Sequence, residues 1–303
     1  MIPLAFEEML SPELEKELLK IYVGQNIRID ARFGKRRGIL SKDVNQILAR
    51  RLLLMGFIKE DTWYRLTLYQ TTTEGEAYIK PIIKLICTTF NDAVNKAVEH
   101  HGIPPRIIGF VVHYYLLPSL KFPAIQPSET TAELYALDRI LRDYEVWEYC
   151  SKFMQILEEM NLCVKAHFYV SSHGGKEDEP YYVISFELQE YLENSQIPPP
   201  FTVEEEKELK IYEVLIRTIR LFSGPVNTYV GYSLRTYLKL LEEYRITEDD
   251  VKPIIDKASA KGLTSKYEAL PNRNPFIIHD IHRFSFYIYK ELIEPKIEYL
   301  LEF

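Results

Sequence analysis

The chain has 303 residues, long for one ordinary domain; at ~100–150 residues apiece, two or three domains are expected. Its 47% hydrophobic and 27% charged residues, with 17 Pro and 12 Gly, exclude a disordered, collagen-like or low-complexity protein. The net charge of −7 speaks against nonspecific nucleic-acid binding by the chain as a whole. The longest apolar run, Ile107 to Pro118, is interrupted by His113 and falls short of the ~20 residues of a membrane span, so no membrane association is expected. The start, Met1 to Glu8, is acidic without a basic leader, and Cys87, Cys150 and Cys163 form no CxxC pair. These features predict a cytoplasmic protein without a disulfide framework or zinc ribbon. Glu (33) outnumbers Asp (11), and amides are few (7 Gln, 9 Asn), a profile that predicts a thermophilic, archaeal or similar source.

Gly102-Ile103-Pro104-Pro105 and Pro198-Pro199-Pro200 punctuate the chain into thirds. Residues 1–102 carry net +2, residues 103–200 net −7 and residues 201–303 net −2. Between Arg28 and Arg51 eight bases stand against Asp30 and Asp43, a local +6 inside an acidic protein.

Ser11-Pro12-Glu13 reads as an N-cap, a proline at the first helical position and an acidic first turn; the helix would bury Leu14, Leu18, Ile21 and Tyr22. A short helix is expected over Asn26 to Phe33, broken by Gly34 and Gly38. Ser41 would cap a third helix to about Met55, ended by Gly56. Val44, Ile47, Leu48, Leu52 and Met55 form its expected apolar stripe, with Arg51 intruding and needing to snorkel or find a carboxylate. Lys42, Asn45, Gln46, Ala49, Arg50 and Leu53 would face outward. Phe57-Ile58-Lys59 and Trp63 to Thr67 then flank Glu60-Asp61-Thr62 as a hairpin, and Thr73-Glu74-Gly75-Glu76 opens another helix as a capping box.

This order, carried by Ile39-Leu40-Ser41 through Met55-Gly56-Phe57-Ile58, Tyr64-Arg65-Leu66-Thr67 and Thr73-Glu74-Gly75, resembles a winged helix-turn-helix domain of the kind found in MarR-like and PadR-like regulators. The likeness covers about residues 11–80; the Gly34 to Leu40 turn is longer and more basic than the usual one. The resemblance implies binding of double-stranded DNA and transcriptional regulation. Lys35, Arg36, Arg37 and Lys42 would neutralise phosphates, Asn45, Gln46 and Arg50 would meet base edges, and Lys59 and Arg65 lie on the hairpin.

From Tyr212 the order recurs, with an apolar helix over Ile211 to Phe222, and the expected fold class is mainly α with small β-hairpins (α+β), built of tandem winged-helix-like modules. Thr247 with Asp250 caps a helix whose stripe is Val251, Ile254, Ile255 and Ala258, spaced like Val44, Ile47, Leu48 and Arg51, and Gly262-Leu263 answers Gly56-Phe57. Its outward face, Asp249, Lys252, Pro253, Asp256, Lys257 and Ala260, suits a protein partner better than DNA. The acidic middle third reads either as another copy, from Glu145 to Leu192, or as a small α+β sensor domain if Ile107 to Tyr115 is a buried strand.

No GxSxG, HExxH, GxxxxGK[ST] or GxGxxG pattern is present, Gly174-Gly175 follows no phosphate-loop pattern, and His279 with His282 lacks a third ligand. No enzyme activity, metal or cofactor is therefore expected. Two further apolar stripes, Ile82, Ile83, Ile86, Phe90, Val94 and Ala97 within one long helix from Pro81 to His101, and Phe284, Ile288 and Leu292 after Ile281, are expected to pair two copies into a homodimer. A scaffold or assembly factor for replication or transcription, binding proteins through winged helices, is the alternative function.

Overall fold

Helices dominate the computed structural model, and small antiparallel sheets lie between them. It describes residues 10–25, 28–30, 36–63, 66–117, 141–142, 144–167, 181–201, 247–266, 279, 281–292 and 294–302. The first elements are α1 (Pro12–Gly24), β1 (Arg28–Asp30), β2 (Arg36–Arg37), β3 (Ile39–Leu40) and a 3-10 turn (Ser41–Asp43). They are followed by α2 (Gln46–Leu54), β4 (Ile58–Trp63), β5 (Leu66–Thr71), α3 (Thr73–Cys87) and α4 (Phe90–Asn95), which runs on as a π-helical turn, Lys96–His100. Then come α5 (Pro105–Val111), α6 (Glu145–Glu159), β6 (Cys163–Ala166), β7 (Tyr181–Ile184) and α7 (Phe186–Asn194). The last are α8 (Glu248–Ala260), α9 (Ile281–Leu292) and α10 (Ile297–Leu301). Among the described residues no helix is long and apolar enough to cross a membrane.

The chain divides into two compact units: Met1–His100 with Met154–Ser195, and His101–Phe153 with Gln196–Phe303. The acidic stretch 103–200 thus contributes to both.

In the first unit, Ser11 Oγ accepts the Leu14 N–H at 3.4 Å and starts α1. Leu14, Leu18, Leu19, Ile21, Tyr22 and Val23 are all buried. A helix with one partner buries one stripe; α1 buries most of its surface because it packs against α2, α3 and β5 and also against β6 and β7. The sheet order is β3-β5-β4, all antiparallel, with Ile39 opposite Tyr69 and Ile58 opposite Thr71. Trp63 pairs with Leu66, so Glu60-Asp61-Thr62, expected as the turn, lie within β4. Continued pairing of β5 as far as Thr71 requires that longer partner. Part of the expected second helix is instead a strand: Arg28–Asp30 pairs with Arg36–Arg37. The apolar Ile29 between two charged residues is a strand's alternation, not a helix's stripe.

The long helix expected from Pro81 to His101 is interrupted. The hydroxyls of Thr88 and Thr89 donate to Leu85 O (2.7 Å) and Ile86 O (2.8 Å), and α4 begins afresh at Phe90. Of the residues expected to pair two copies, Ile83, Phe90 and Phe284 are buried inside the monomer. The reason for the first two is that α7 packs on α3 and sets Tyr191 against Phe90, ring centroids 6.3 Å apart. Val94 is half-buried, and the Ile288 side chain lies outside the described residues.

In the second unit, Ile107 to Tyr115 is helical, so the buried strand weighed for a sensor domain is absent there. Arg106 stacks 3.9 Å over the Tyr299 ring and donates to Tyr299 O at 3.0 Å, which fixes α10 against α5. The α8 stripe is as expected, with Val251, Ile254, Ile255 and Ala258 buried. Asp250 accepts from the Thr247 N–H at 2.8 Å.

One local device ends three helices. Gly56 (φ +79°), Asn161 (φ +59°) and Gly262 (φ +70°) adopt the left-handed conformation after α2, α6 and α8. In each, two main-chain hydrogen bonds close the end: Gly56 N–H to Leu53 O and Phe57 N–H to Leu52 O; Asn161 to Glu158 and Leu162 to Leu157; Gly262 to Ser259 and Leu263 to Ala258. A buried apolar residue follows every time, Phe57, Leu162 or Leu263, as such caps favour. After the first two, a hairpin leads to an N-cap, Thr72 accepting from Gly75 and Ser185 from Leu188. Thr72, not Thr73, is therefore the cap of α3. Phe57 O accepts the Thr72 N–H and Leu263 O the His279 N–H, both at 3.0 Å. A helix, a turn and a return to the next helix are thus built alike in both units.

Two substitutions probe this packing. A Cβ on Gly75 would collide with the Phe57 carbonyl oxygen, so Gly75→Ala is expected to cost about 1–3 kcal/mol, read as a lower urea midpoint. Phe90→Glu places a charge in a fully buried site and is expected to unfold the protein rather than give a folded monomer, as followed by circular dichroism.

Candidate nucleic-acid interface

The start of α2 is held by three contacts. Asn45 is its N-cap: the side-chain oxygen accepts from Ile47 N (3.0 Å) and Leu48 N (3.3 Å). The Asn45 N–H in turn donates to Glu17 Oε1 of α1 at 2.7 Å. Just ahead, the Asp43 side chain, 6% exposed, accepts the main-chain N–H of His167 at 2.7 Å and its Nδ1–H at 2.5 Å. His167 follows β6, so the turn before α2 is tied to a hairpin more than a hundred residues away. Burial raises the Glu17 carboxyl above its ordinary value, against the lowering effects of the Asn45 N–H and of Lys20 and Lys16.

This seating decides which side chains face outward. The helix begins at Gln46, not at Ser41, and buries Ala49 and Leu52, with Leu48 and Leu53 half-buried. The expected stripe is therefore corrected: Ile47 is 74% exposed and Met55 also faces out, whereas Ala49, expected outside, is fully buried. Arg51 needs no snorkelling, because it is exposed. At 100° per residue, Ile47, Arg50, Arg51 and Leu54 fall within one arc of about 100°. Leu54 is 89% exposed. The face is half cationic and half aliphatic.

The other expected contact residues are placed unevenly. The Asn45 amide oxygen is engaged as the cap. Gln46 donates to Ser41 O and accepts from the Tyr69 hydroxyl at 3.1 Å, so both ends of its amide are engaged. Arg50 is exposed on α2, Lys42 on the preceding 3-10 turn and Lys59 on β4. Arg36 and Arg37 form β2, in a strand rather than a turn, with side chains outside the described residues. Lys35 and Arg65 lie outside the described residues altogether. On α8, Asp249, Lys252, Pro253, Asp256, Lys257 and Ala260 are all exposed, and Lys252 pairs with Asp256 at 3.4 Å.

Among the described residues no group of three His, Cys, Asp or Glu is placed to hold a metal ion. The residues that sequence reasoning missed are Glu17, Asp43 and His167. Glu17 carried a usable signal, being an acid on the buried side of α1 between Leu14 and Leu18. Comparison with protein-family models, curated proteins and solved structures found no match to this chain.

Glu17 gives a pH test. Its folded-state value is raised, so the native state holds its proton more tightly than the unfolded chain, and stability falls as pH rises from about 4.5 through the folded value. Glu17→Gln keeps an oxygen for the Asn45 N–H without the buried charge. The variant is expected to lose this decline and to be more stable than wild type at neutral pH, measured by urea unfolding across pH 4–8.

Proposed function

We propose that the protein binds double-stranded DNA through the exposed face of α2 and acts as a transcriptional regulator without enzymatic activity. The observation that carries this reading is the pair Arg50 and Arg51, exposed side by side on a helix seated rigidly at its N-terminus, within the only third of the chain that has a cationic surplus. The major groove admits an α-helix, and arginine can pair bidentately with guanine there. Lys42 and Lys59 flank the helix on the preceding turn and the following hairpin, where phosphate contacts would set its register. The order α1, α2, the β4–β5 hairpin and α3 supports a winged helix, with two departures: Arg28–Asp30, within the helix expected from Asn26 to Phe33, is a strand, and a 3-10 turn, Ser41–Asp43, takes the place of the first turn expected of α2. The α8 end has the same cap and burial but a face in which Lys252 and Asp256 neutralise each other, which suits structure or a protein partner.

Fluorescence anisotropy of the full chain on random-sequence duplex, at about 50 and 200 mM salt, tests the proposal. Wild type should bind and weaken steeply with salt. Arg50→Ala with Arg51→Ala should weaken binding by roughly 1–3 kcal/mol per lost contact, and Lys252→Ala with Lys257→Ala should change nothing. Equal losses from both pairs, or none from either, would overturn it. A protein-binding scaffold is the second reading, favoured by the exposed Ile47 and Leu54; it predicts no duplex binding by wild type.

A further inference from the structure

Ile47 and Leu54 are the two most exposed large apolar side chains of the described residues, at 74% and 89%. They stand two helical turns apart on one line of α2, with Arg50 and Arg51 to either side. Folding gains nothing from either side chain, since Ala49 and Leu52 already make the contact with the rest of the unit. The polar residues best suited to adenine are engaged elsewhere: Asn45 caps the helix and Gln46 bridges Ser41 and Tyr69. A duplex docked on this face would therefore meet two aliphatic side chains and two guanidinium groups, and no side-chain amide.

We infer that Ile47 and Leu54 read the C5-methyl groups of thymines in the major groove, so that the preferred ligand is duplex DNA carrying thymines about three base pairs apart around an arginine-contacted guanine. This rests on the DNA-binding proposal and specifies its ligand. Among the four bases, thymine alone presents a methyl group to the major groove, and aliphatic side chains recognise it by excluding water. The spacing agrees: seven residues of helix rise ~10.5 Å and three base-pair steps ~10 Å. The occupant is set by charge. Two exposed guanidinium groups flanking the apolar line favour a polyanion over an apolar groove of a protein, and the stretch from Arg28 to Arg51 has eight bases against two acids. RNA duplexes are disfavoured, because their deep, narrow major groove excludes a helix.

The experiment selects duplexes from a random library with the full chain, then replaces thymines of the selected site one at a time by deoxyuridine, which removes only the methyl group. The expected result is a loss of about four-fold in affinity at each of two positions, the equivalent of ~0.8 kcal/mol per methyl group. At one of these positions Ile47→Ala should bind thymine and uracil duplexes equally, and Leu54→Ala should do so at the other. Both variants should keep the wild-type circular dichroism spectrum. A selected site indifferent to uracil everywhere overturns this inference and leaves DNA binding standing. Failure to select any duplex overturns both. If Ile47→Ala with Leu54→Ala converts a dimer to a monomer by light scattering while uracil has no effect, the face belongs to a second copy and the inference is wrong.

Discussion

The first unit is organised around the burial of α1. A helix that serves two sets of partners keeps only a narrow outward face, where Glu13 and Lys16 lie, and Glu17 is the charged residue caught on the buried side. Its carboxylate is retained in the interior because it meets an otherwise unpaired donor, the Asn45 N–H at the start of α2. Placing the start of α2 against α1 then leaves Ala49 and Leu52 to fill the contact, and the remaining arc of the helix must face solvent. The arrangement of Ile47, Arg50, Arg51 and Leu54 is a consequence of where α1 lies. Asp43 and His167 hold the same point from the other direction in sequence, so the turn before α2 is fixed through two independent carboxylates.

The recurrence of the helix end after α2, α6 and α8 shows how one backbone solution is reused with different surfaces. A left-handed residue and a buried apolar residue suffice to turn the chain from helix to strand. The residues that point outward play no part in this turn and are free to differ. On α8 they are charges that cancel, and on α2 they are cations beside aliphatic groups. A shared scaffold with separate surface chemistry is the pattern expected when function is carried by a site and not by the fold.

Much of this was legible in the sequence wherever the signal was local. The caps at Ser11, Thr247 and Gly262, the buried stripe of α8 and the hairpin after Gly56 all depend on residues within a few positions of each other. The expected and observed faces of α2 differ by one step of helical register. Aligning Gly262 with Gly56 sets Ala258 against Leu52 and Ile255 against Ala49, whereas matching Val251 to Val44 slips the register by one residue. On a helix that slip is a rotation of 100°, enough to put Ile47 inside and Ala49 outside. Four consecutive apolar residues from Leu52 to Met55 blur the last turn, and Arg51, which intrudes on the expected stripe, is the polar residue that marks the exposed side. The link from Asp43 to His167 was illegible for a different reason: no local pattern encodes a contact across so long a separation. Periodicity shows that a face is apolar without showing what covers it, and at Phe90 the cover is Tyr191 of the same chain.

The central claim is that the outward arc of α2 is the surface that meets DNA. Hydroxyl-radical footprinting of the full chain, with and without a long mixed-sequence duplex, reports on it directly, because Ile47, Leu54 and Met55 are reactive and exposed. Added duplex should suppress oxidation at these three residues while leaving the exposed Leu85 on α3 and Tyr299 on α10 unchanged. Undiminished oxidation of Ile47 and Leu54 under conditions where the duplex is bound would contradict the account.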